Sequence, residues 1–528
     1  MIFASLLALL VALAYYYHAA IDIDIFNTGL LDLHPILDGP EYFSGAVSIL
    51  RYGEFSIRIG DDFLPSRYPF GYSLFLVPFV YFLDGSDIIL APYIANQMIG
   101  LIFLLGTFFF FFLQRRFLGA GISVGLLVTL PAFILFSRSS MSENLGSAAI
   151  LLFFFLLYLA KKRDGFKYTI LASSLLGISL SIRLQYALLT PALGIALLLK
   201  TRNSSSNILP LKLLLIPLTF AIASLPLLLC NYITVGEPFS TGYDFWVPDS
   251  ISFSPKFIWP NLQPIWNEFS LSQNPYRVAD ISGTGVYLTP PFIILSIISI
   301  LRSLANTNSK ELAIISSAIS LFSGTLLYSC SDARFFYPLM ILSIFSITYL
   351  LEEIFNRRNQ WNITIKFFVI SILLFTLVGF PSAAGNPEKL AFSQTTSLLD
   401  ETYLGDQSPS YSSIREYIEE YECQAKTLII TDMVIPYVSS LLSEDAVVIP
   451  ATDNHDFRFS NQWKFGADDC DQYIQRFLSR GDRIIFLSKE KLNTGTAPAF
   501  PDVSNRVWKK LPVSTDSLIY ELVPVSEP

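Results

Sequence analysis

The sequence predicts a polytopic α-helical membrane protein of about 11 transmembrane helices, with a C-terminal α/β soluble domain on the external face. Composition is the first reason: 52% of the 528 residues are hydrophobic and only 15% are charged, against ~25% charged residues in a typical soluble domain. The second reason is a succession of long apolar runs within residues 1–380. The third is a late segment with the pattern of a soluble domain.

Charge divides the chain in the same way. Residues 395–528 contain 12 basic and 21 acidic residues, a net charge of −9, whereas the rest of the chain contains 23 and 22, a net charge of +1. We therefore predict a membrane domain over 1–380, which includes an external loop over 21–86, and an external domain over 381–528. No basic patch indicates a nucleic-acid partner.

Eleven apolar runs are interpreted as membrane spans. The first lacks the basic n-region and cleavage site of a signal peptide, so we expect a retained helix. Several runs are shorter than the ~20 residues that a spanning helix usually needs, and their boundaries are approximate. The predicted spans are 1–20, 87–113, 121–137, 144–160, 168–182, 184–200, 208–229, 286–301, 311–328, 335–351 and 365–380.

Basic residues predict the orientation of these spans. When alternate loops are assigned to the cytoplasm, 14 basic and four acidic residues fall there, while the opposite face of the membrane domain has nine basic and 18 acidic residues. This is the positive-inside pattern, with the N-terminus inside and the C-terminal domain outside. It requires that Pro69–Leu83, an apolar run of 15 residues containing Pro69 and Pro78, does not span. A re-entrant or interfacial segment is favoured there.

The first predicted external loop contains three charged residues of interest. Residues 39–50 have the spacing of a short amphipathic helix, and Asp38 occupies the position of its N-cap. Asp38 and Glu41 either form a structural capping box or belong to an active site. Arg67 stands where the chain returns to the apolar layer. It either extends its charged end to the interface or binds a phosphate through its planar guanidinium group.

Three further charged residues belong to other external loops. Arg183 interrupts the apolar run Tyr168–Leu199, and it either anchors a turn at the interface or lines a polar cavity. Glu143 suits the first turn of a helix, where the helix dipole favours an acid. Arg334 either pairs with the nearby Asp332 or has a functional role. Their shared side of the membrane favours a common site.

Six short motifs on the predicted external side carry a resemblance to a known class. They are Asp-x-x-Glu-Tyr (38–42), Arg-Tyr-Pro-Phe-Gly-Tyr-Ser-Leu-Phe-Leu (67–76), Ser-Met-Ser-Glu-Asn-Leu (140–145), Ser-Ile-Arg-Leu-Gln-Tyr (181–186), Asn-Tyr-Ile-Thr-Val-Gly-Glu-Pro-Phe-Ser-Thr-Gly-Tyr (231–243) and Asp-Ala-Arg-Phe-Phe-Tyr-Pro (332–338). In this order they resemble the GT-C class of integral-membrane glycosyltransferases. The most similar groups are the protein O-mannosyltransferase and aminoarabinose transferase types. The resemblance covers about residues 1–380.

The resemblance implies transfer of a sugar from a polyprenyl-phosphate donor to an acceptor at the external face, generally with inversion. Asp38 would be the general base that takes the acceptor's proton. Many members have an adjacent Asp-Glu pair, whereas here Gly39 follows Asp38 and Glu41 comes three residues later. Glu41 is nevertheless included among the candidate catalytic residues.

The other expected roles concern the second acid and the donor. Glu143 would be the further acidic residue of the catalytic set. Arg67, Arg183 and Arg334 would bind the donor phosphate and neutralise the charge that grows as the glycosyl bond breaks. Membrane lipid and a lipid, glycan or protein acceptor are the other expected partners.

No metal site is predicted from the residues alone. The chain has only three histidines, His18, His34 and His455, and none is paired with another at ligand spacing. A dedicated zinc site is therefore not expected. An oxygen-ligated Mg²⁺ or Mn²⁺ near Asp38 and Glu143 is the alternative.

The tail has the pattern of a small α/β domain with a mainly parallel sheet. The predicted strands are 427–431, 446–449 and 483–487, the predicted helices are 411–422, 433–442 and 470–480, and Trp508 and Tyr520 fall in a late pair of strands. Cys423 and Cys470 either form a disulfide or are two buried thiols. In the loop 231–285, Trp246, Trp259 and Trp266 either stack on acceptor sugars or form an interfacial aromatic belt.

The alternative function is a transporter or flippase of a lipid-linked saccharide. Such a protein should have paired charges at the bilayer midplane and related halves. Here the ionisable residues gather at one predicted face, and the sequence has no detected repeat. The motif pattern and the retained first helix predict a bacterial inner (plasma) membrane, with a periplasmic C-terminal domain.

Overall fold

Helices dominate the described part of the chain, together with two small sheets. The computed structural model describes residues 2–21, 38–83, 85–162, 165–201, 209–246, 251–263, 295–302, 309–329, 333–356, 426–431, 435–451, 467–487, 503–511 and 519–524. Everything below refers to these residues.

Thirteen helices precede the C-terminal domain in the described part of the chain, apart from short turns and the helical segments 258–263 and 295–302. They are α1 (Ile2–Tyr16), α2 (Asp38–Tyr52), α3 (Gly71–Phe82), α4 (Ala91–Phe112), α5 (Phe117–Val128), α6 (Pro131–Ser137), α7 (Glu143–Lys162), α8 (Gly165–Ser179), α9 (Thr190–Thr201), α10 (Leu209–Val235), α11 (Gly242–Trp246), α12 (Ser309–Leu327) and α13 (Tyr337–Asn356). A π-helical segment (Tyr17–Ile21) extends α1. The 3₁₀ segments Gly85–Leu90, Leu184–Leu189 and Ala333–Phe336 lead into α4, α9 and α13.

Length and composition identify an integral membrane protein. Five helical stretches among the described residues are long and apolar enough to cross a bilayer: Ile2–Ile21, Asp87–Phe112, Glu143–Lys161, Leu214–Val235 and Arg334–Phe355. Shorter apolar helices cover Gly71–Phe82, Phe117–Val128, Leu184–Ile195 and Leu312–Leu327. The predicted span 365–380 and part of 286–301 lie outside the described residues. The total of about 11 spans therefore stays a prediction.

Prolines occur in two of the predicted apolar segments, 121–137 and 69–83. The predicted span 121–137 is divided between two helices, because α5 ends at Val128 and α6 begins at Pro131. A proline has no backbone N–H and disfavours a helical residue before it, so the helix ends there. The run Pro69–Leu83 contains α3, a helix of 12 residues. At about 1.5 Å per residue this helix is about 18 Å long, well short of the ~30 Å hydrocarbon layer.

Small residues allow α8 and α10 to approach closely. Ser173 Oγ donates a hydrogen bond of 2.7 Å to the carbonyl of Ile216. One turn later, a Cβ added to Gly177 would lie 2.5 Å from the carbonyl oxygen of Phe220. Small residues four positions apart are a recurrent means of packing membrane helices, since lipid provides little hydrophobic drive between them.

Two acidic residues near the end of α13, the buried Glu352 and the half-buried Glu353, are paired with arginines from other segments. Glu352 accepts a hydrogen bond of 2.6 Å from Arg116 Nη1, and Arg116 lies over the ring of Tyr349. The neighbouring Glu353 pairs with Arg302. These pairs hold the start of α5 and the segment 295–302 to α13.

The contacts divide the chain into two compact units. The first comprises Met1–Ile23, Asn96–Leu229 and Asp249–Tyr403. The second comprises Asp24–Ala95, Cys230–Pro248 and Leu404–Pro528. The second unit therefore includes both the predicted first loop and the predicted C-terminal domain. The predicted boundary at 380 lies outside the described residues.

The C-terminal part of the second unit is built on a five-stranded sheet. Its strands are β3 (Thr427–Thr431), β4 (Ala446–Pro450), β5 (Arg483–Leu487), β6 (Arg506–Lys510) and β7 (Ile519–Pro524), in the order β4-β3-β5-β7-β6. β3 pairs in parallel with β4 and β5, whereas β7 pairs antiparallel with β5 and β6. The sheet is therefore mixed rather than mainly parallel. Two helices, α14 (Ile435–Leu441) and α15 (Ala467–Arg480), complete the described part of this domain.

Burial explains why the central strands have apolar sequences. All five residues of β3 and of β4 are buried, as expected for strands covered on both faces. Leu428, Ile430 and Phe486 pack against Cys470 and Phe477 of α15 in one core. Cys423 and the predicted helix 411–422 lie outside the described residues, so the disulfide stays a prediction.

We expect Gly177→Ile to destabilise the first unit, because its side chain would collide with the backbone of Phe220. Overpacking typically costs about 1–3 kcal/mol, and the shift should be visible as a lower thermal unfolding temperature in detergent. Gly194→Ile is the matched control, because a Cβ at Gly194 meets nothing within 4 Å. Equal unfolding temperatures for the two variants would contradict the close α8–α10 packing.

Candidate active site

Asp38 is the first residue of α2, which agrees with its predicted place at the helix start. Pro40 is in the first turn, where its missing N–H costs no helical hydrogen bond. Gly53 follows the helix with a φ of +71°, a left-handed conformation that favours glycine at a helix end. The side chain of Asp38 lies outside the described part of the structure, so its role as a base stays a prediction.

Glu41 and Arg67 form a buried ion pair in the second unit. The Nε of Arg67 lies 2.5 Å from Oε1 of Glu41. The Arg67 backbone N–H and the Ser66 hydroxyl donate to Oε2 at 2.8 and 3.2 Å. Glu41 is 0% and Arg67 5% exposed. The Glu41 carboxylate therefore fixes the segment before α3, which is more than completing a capping box.

Burial makes these two charges dependent on each other. Removing a charge from water costs several kcal/mol, and only a well-placed partner offsets that cost. Burial disfavours the charged form of Arg67, but the adjacent Glu41 carboxylate outweighs burial, and the pKa of Arg67 is raised above its ordinary value. Arg67 is therefore a cation at neutral pH. It is buried and ion-paired, so the alternative in which it only extends to the interface is wrong.

A short helix packs against the same segment of the second unit. Trp246 of α11 is buried, and its Nε1–H donates to the carbonyl of Pro65 at 2.7 Å. A Cβ at Gly242 would lie 1.8 Å from the carbonyl oxygen of Ser66, so only glycine permits this approach. A position in an interfacial aromatic belt is therefore wrong for Trp246, because its ring is in the interior, while the sugar-stacking alternative stays a prediction. Trp259 is exposed, and Trp266 lies outside the described residues.

A second buried ion pair lies in the first unit. Glu143 is the first residue of α7, and its Oε1 is 2.7 Å from Nη2 of Arg183. Arg183 Nε also donates to the Ser142 hydroxyl at 3.0 Å. Both charged side chains are less than 10% exposed. Arg183 therefore joins the turn between α8 and α9 to the start of α7, and Glu143 does more than respond to its helix dipole.

One aromatic ring brings the third predicted arginine to this pair. The guanidinium carbons of Arg183 and Arg334 lie 5.9 and 5.4 Å from the ring centre of Phe335. Cation–π attraction favours each of these contacts. Arg334 is 8% exposed, so both guanidinium groups are held in the interior of the first unit. Asp332, its predicted partner, lies outside the described residues.

Uncharged polar residues next to Glu143, Arg183 and Arg334 were not among the residues predicted from the sequence. Tyr337 donates to Asn144 Oδ1 and Asn144 Nδ2 donates to Ser137, both at 2.9 Å. Asn96 Nδ2 donates to the carbonyl of Met141 at 2.8 Å. Asn144 and Tyr337 belong to the motifs 140–145 and 332–338, which was the available signal. Their network holds the start of α7 beside α6, α4 and α13.

Arg138 was also missed. It is the residue after α6 and is only 4% exposed. Its position between two predicted spans, on the predicted external side, was the available signal. An arginine this deeply buried in a membrane protein is a candidate functional residue by default.

The structure thus brings the predicted site residues together in two groups. Glu41 and Arg67 meet in the second unit, and Glu143, Arg183 and Arg334 meet in the first. Within the described ranges, no group of three histidine, cysteine or carboxylate side chains is close enough to hold a metal ion. His34, His455 and the Asp38 side chain lie outside those ranges, so metal dependence stays untested.

Comparison with solved structures identifies the fold. The crystal structure of ArnT from Cupriavidus metallidurans in the apo state matches with a TM-score of 0.60 at 12% identity, covering 99% of this chain and 98% of that one. The same protein bound to undecaprenyl phosphate matches with a TM-score of 0.59 at 13% identity. The chain has a GT-C fold. The resemblance predicted from the motifs is confirmed at the level of the fold.

The archaeal oligosaccharyltransferase AglB from Archaeoglobus fulgidus, in complex with an inhibitory peptide and a dolichol-phosphate, matches with a TM-score of 0.44 at 11% identity, covering 92% of this chain and 69% of that one. No protein-family model and no curated protein sequence matches the chain.

We expect Glu41→Ala to destabilise the second unit strongly, because it leaves the buried Arg67 without its ion-pair partner. Breaking such a pair typically costs about 3–5 kcal/mol. Glu41→Gln should cost less, since the amide oxygen still accepts from the Arg67 backbone. Thermal unfolding in detergent measures both. Glu54→Ala is the control, because Glu54 is exposed. Similar unfolding temperatures for Glu41→Ala and Glu54→Ala would contradict the structural role of the pair.

Proposed function

We propose that this protein transfers a sugar from a polyprenyl-phosphate donor to an acceptor at the external face of a bacterial inner membrane. The GT-C fold, matched over nearly the whole length of ArnT including its undecaprenyl phosphate complex, is the observation that supports this most. A fold alone does not imply an activity, so the side chains must also suit the chemistry.

The first unit contains arginine side chains that are suited to binding a phosphate group. Arg183 and Arg334 are both held against Phe335, and Arg183 is fixed further by Glu143. Planar guanidinium groups bind phosphate oxygens through two parallel hydrogen bonds. Buried cations of this kind stabilise negative charge far more than exposed ones do. We propose that these two arginines bind the donor phosphate.

In the second unit, taken by itself, we propose Arg67 as a phosphate-binding residue held in place by Glu41. Glu41 would then act through Arg67, by fixing the orientation of its guanidinium group, rather than by taking a proton. The ion pair of 2.5 Å between Glu41 and Arg67 supports this positioning role rather than a directly catalytic role for Glu41.

The proposed reaction uses Asp38 as the general base. The acceptor's hydroxyl oxygen forms a bond to the anomeric carbon as the bond from that carbon to the phosphate oxygen breaks. The hydroxyl proton passes to the Asp38 carboxylate, and polyprenyl phosphate leaves with the electron pair. Attack from the side opposite the phosphate inverts the anomeric centre. Within the first unit, Glu143 acts by positioning Arg183.

We expect Asp38→Asn to reduce transfer at least 100-fold in folded protein, because an amide cannot accept the acceptor's proton. Purified protein in vesicles is incubated with a polyprenyl-phosphate sugar and an acceptor mixture, and the released polyprenyl phosphate is measured. Asp471→Asn, on the exposed face of α15, is the matched control. Full turnover by Asp38→Asn would show that Asp38 is not the general base. A wild type that moves the donor across the membrane without transferring its sugar would favour the alternative function, a transporter.

Arg334→Ala should weaken donor binding roughly 10- to 100-fold, because a charge-assisted hydrogen bond is worth about 1.5–3 kcal/mol. Binding of a short-chain polyprenyl phosphate is measured by titration in detergent. Arg480→Ala is the control, since Arg480 is exposed at the end of α15. Arg334 is a better choice than Arg183, whose removal would leave the buried Glu143 without its ion-pair partner. Unchanged affinity for Arg334→Ala would contradict the proposed phosphate site.

A further inference from the structure

Helix α2 is held from two sides within the second unit. One side carries Glu41 and Tyr42 and faces α3 and the segment before it. Glu41 pairs with Arg67, and the Tyr42 ring lies 4.9 Å from that of Tyr72 in α3. Gly45 continues this side, where an added Cβ would lie 2.8 Å from the Ser73 hydroxyl.

The other side of α2 faces the C-terminal domain. Phe43, Val47 and Arg51 are four residues apart, which places them along one face of the helix. The ring centre of Phe43, which is fully buried, lies 5.6 Å from that of Tyr437 in α14. At the end of α2, Arg51 Nη1 donates to the carbonyl of Leu442 at 2.8 Å.

The arginine contacts match the chemistry of a helix end. The last carbonyl groups of a helix have no partner within it and carry partial negative charge, which cations offset. Helix α14 ends at Leu441, so the Leu442 carbonyl is at this end. Arg58 Nη1 donates to the Glu444 carbonyl and to the Tyr52 hydroxyl, both at 3.0 Å. Two arginines of the first loop thus bind the carbonyls at and just after the end of α14.

The hairpin after α2 adds a third attachment. Its strands are β1 (Ile57–Ile59) and β2 (Asp62–Leu64), and Gly60 at its turn donates its N–H to the carbonyl of Val448 in the edge strand β4 at 2.7 Å. The Asp61 N–H donates to the Tyr473 hydroxyl at 3.0 Å, and the Asp61 carboxylate pairs with Arg476 at 2.7 Å. The hairpin therefore bonds to two elements of the C-terminal domain.

We infer that the C-terminal α/β domain holds α2 in position. The principal positioning residue is Arg51 of α2, which donates to the Leu442 carbonyl of that domain. The catalytic part of this inference rests on the proposed function, in which Asp38 at the start of α2 is the base. The 15 residues of α2 form a rod of about 22 Å. A tilt of about 3° at the Arg51 end would move the Asp38 end by about 1 Å, and such a displacement can cost about 100-fold in rate.

Hydrogen–deuterium exchange of the full-length protein tests the attachment without using the reaction. Arg51→Met keeps the length of the side chain and removes its donors. We expect the backbone amides of 38–52 to exchange roughly tenfold faster, the factor that corresponds to one charge-assisted hydrogen bond. The amides of α7 in the first unit should be unchanged. Arg480→Met is the matched control. Unchanged exchange over 38–52 in both Arg51→Met and Tyr437→Leu would overturn the inference.

Turnover then tests the positioning role. We expect Arg51→Met to lower kcat at least tenfold with a KM for the donor within about threefold of the wild type, and Arg51→Lys to restore most of the rate. A loss of kcat without faster exchange over 38–52, or equal losses in Arg51→Met and Arg51→Lys, would contradict positioning through this hydrogen bond. A wild type that transfers no sugar, while Arg51→Met still accelerates exchange, would refute the proposed function and leave the attachment intact.

Discussion

Charged side chains that are removed from water must be paired, and this constraint organises both units. In the second unit it joins α2 to the segment before α3, since Glu41 and Arg67 are almost fully buried and bond to each other at several atoms. In the first unit it joins α7 to the turn before α9 through Glu143 and Arg183. In each unit one carboxylate therefore determines where one arginine is held.

Close backbone approaches allow these pairs to form. Gly242 leaves space for the backbone at Ser66, one residue before Arg67. Gly146, one turn after Glu143, leaves space for the Tyr186 hydroxyl, which would lie 1.6 Å from an added Cβ. Sequence motifs that are far apart in the chain are thus contact partners within one unit. These motifs therefore have a role in packing as well as any role in the reaction.

Patterns within one element were predictable, and pairings between elements were not. The strands at 427–431 and 483–487 were identified because a continuous apolar run between turns is typical of a buried strand. Glu41 was identified as a candidate residue, but its bond to Arg67, 26 residues away, depends on tertiary packing. Trp246 was expected either to stack on acceptor sugars or to belong to an interfacial aromatic belt, whereas the Pro65 carbonyl provides a buried partner for its indole. The uncharged Asn144 gave no electrostatic signal.

Two buried guanidinium groups meet at the ring of Phe335. A buried ion pair is often no more stabilising than apolar residues of similar volume, so such a pair is weak evidence for a purely structural role. Glu143 and Ser142 already provide Arg183 with an ion-pair partner and a hydrogen bond. Arg334 places a second guanidinium group against the same ring. An anionic ligand would gain from both cations, which is the physical reason that the proposed phosphate site includes both arginines.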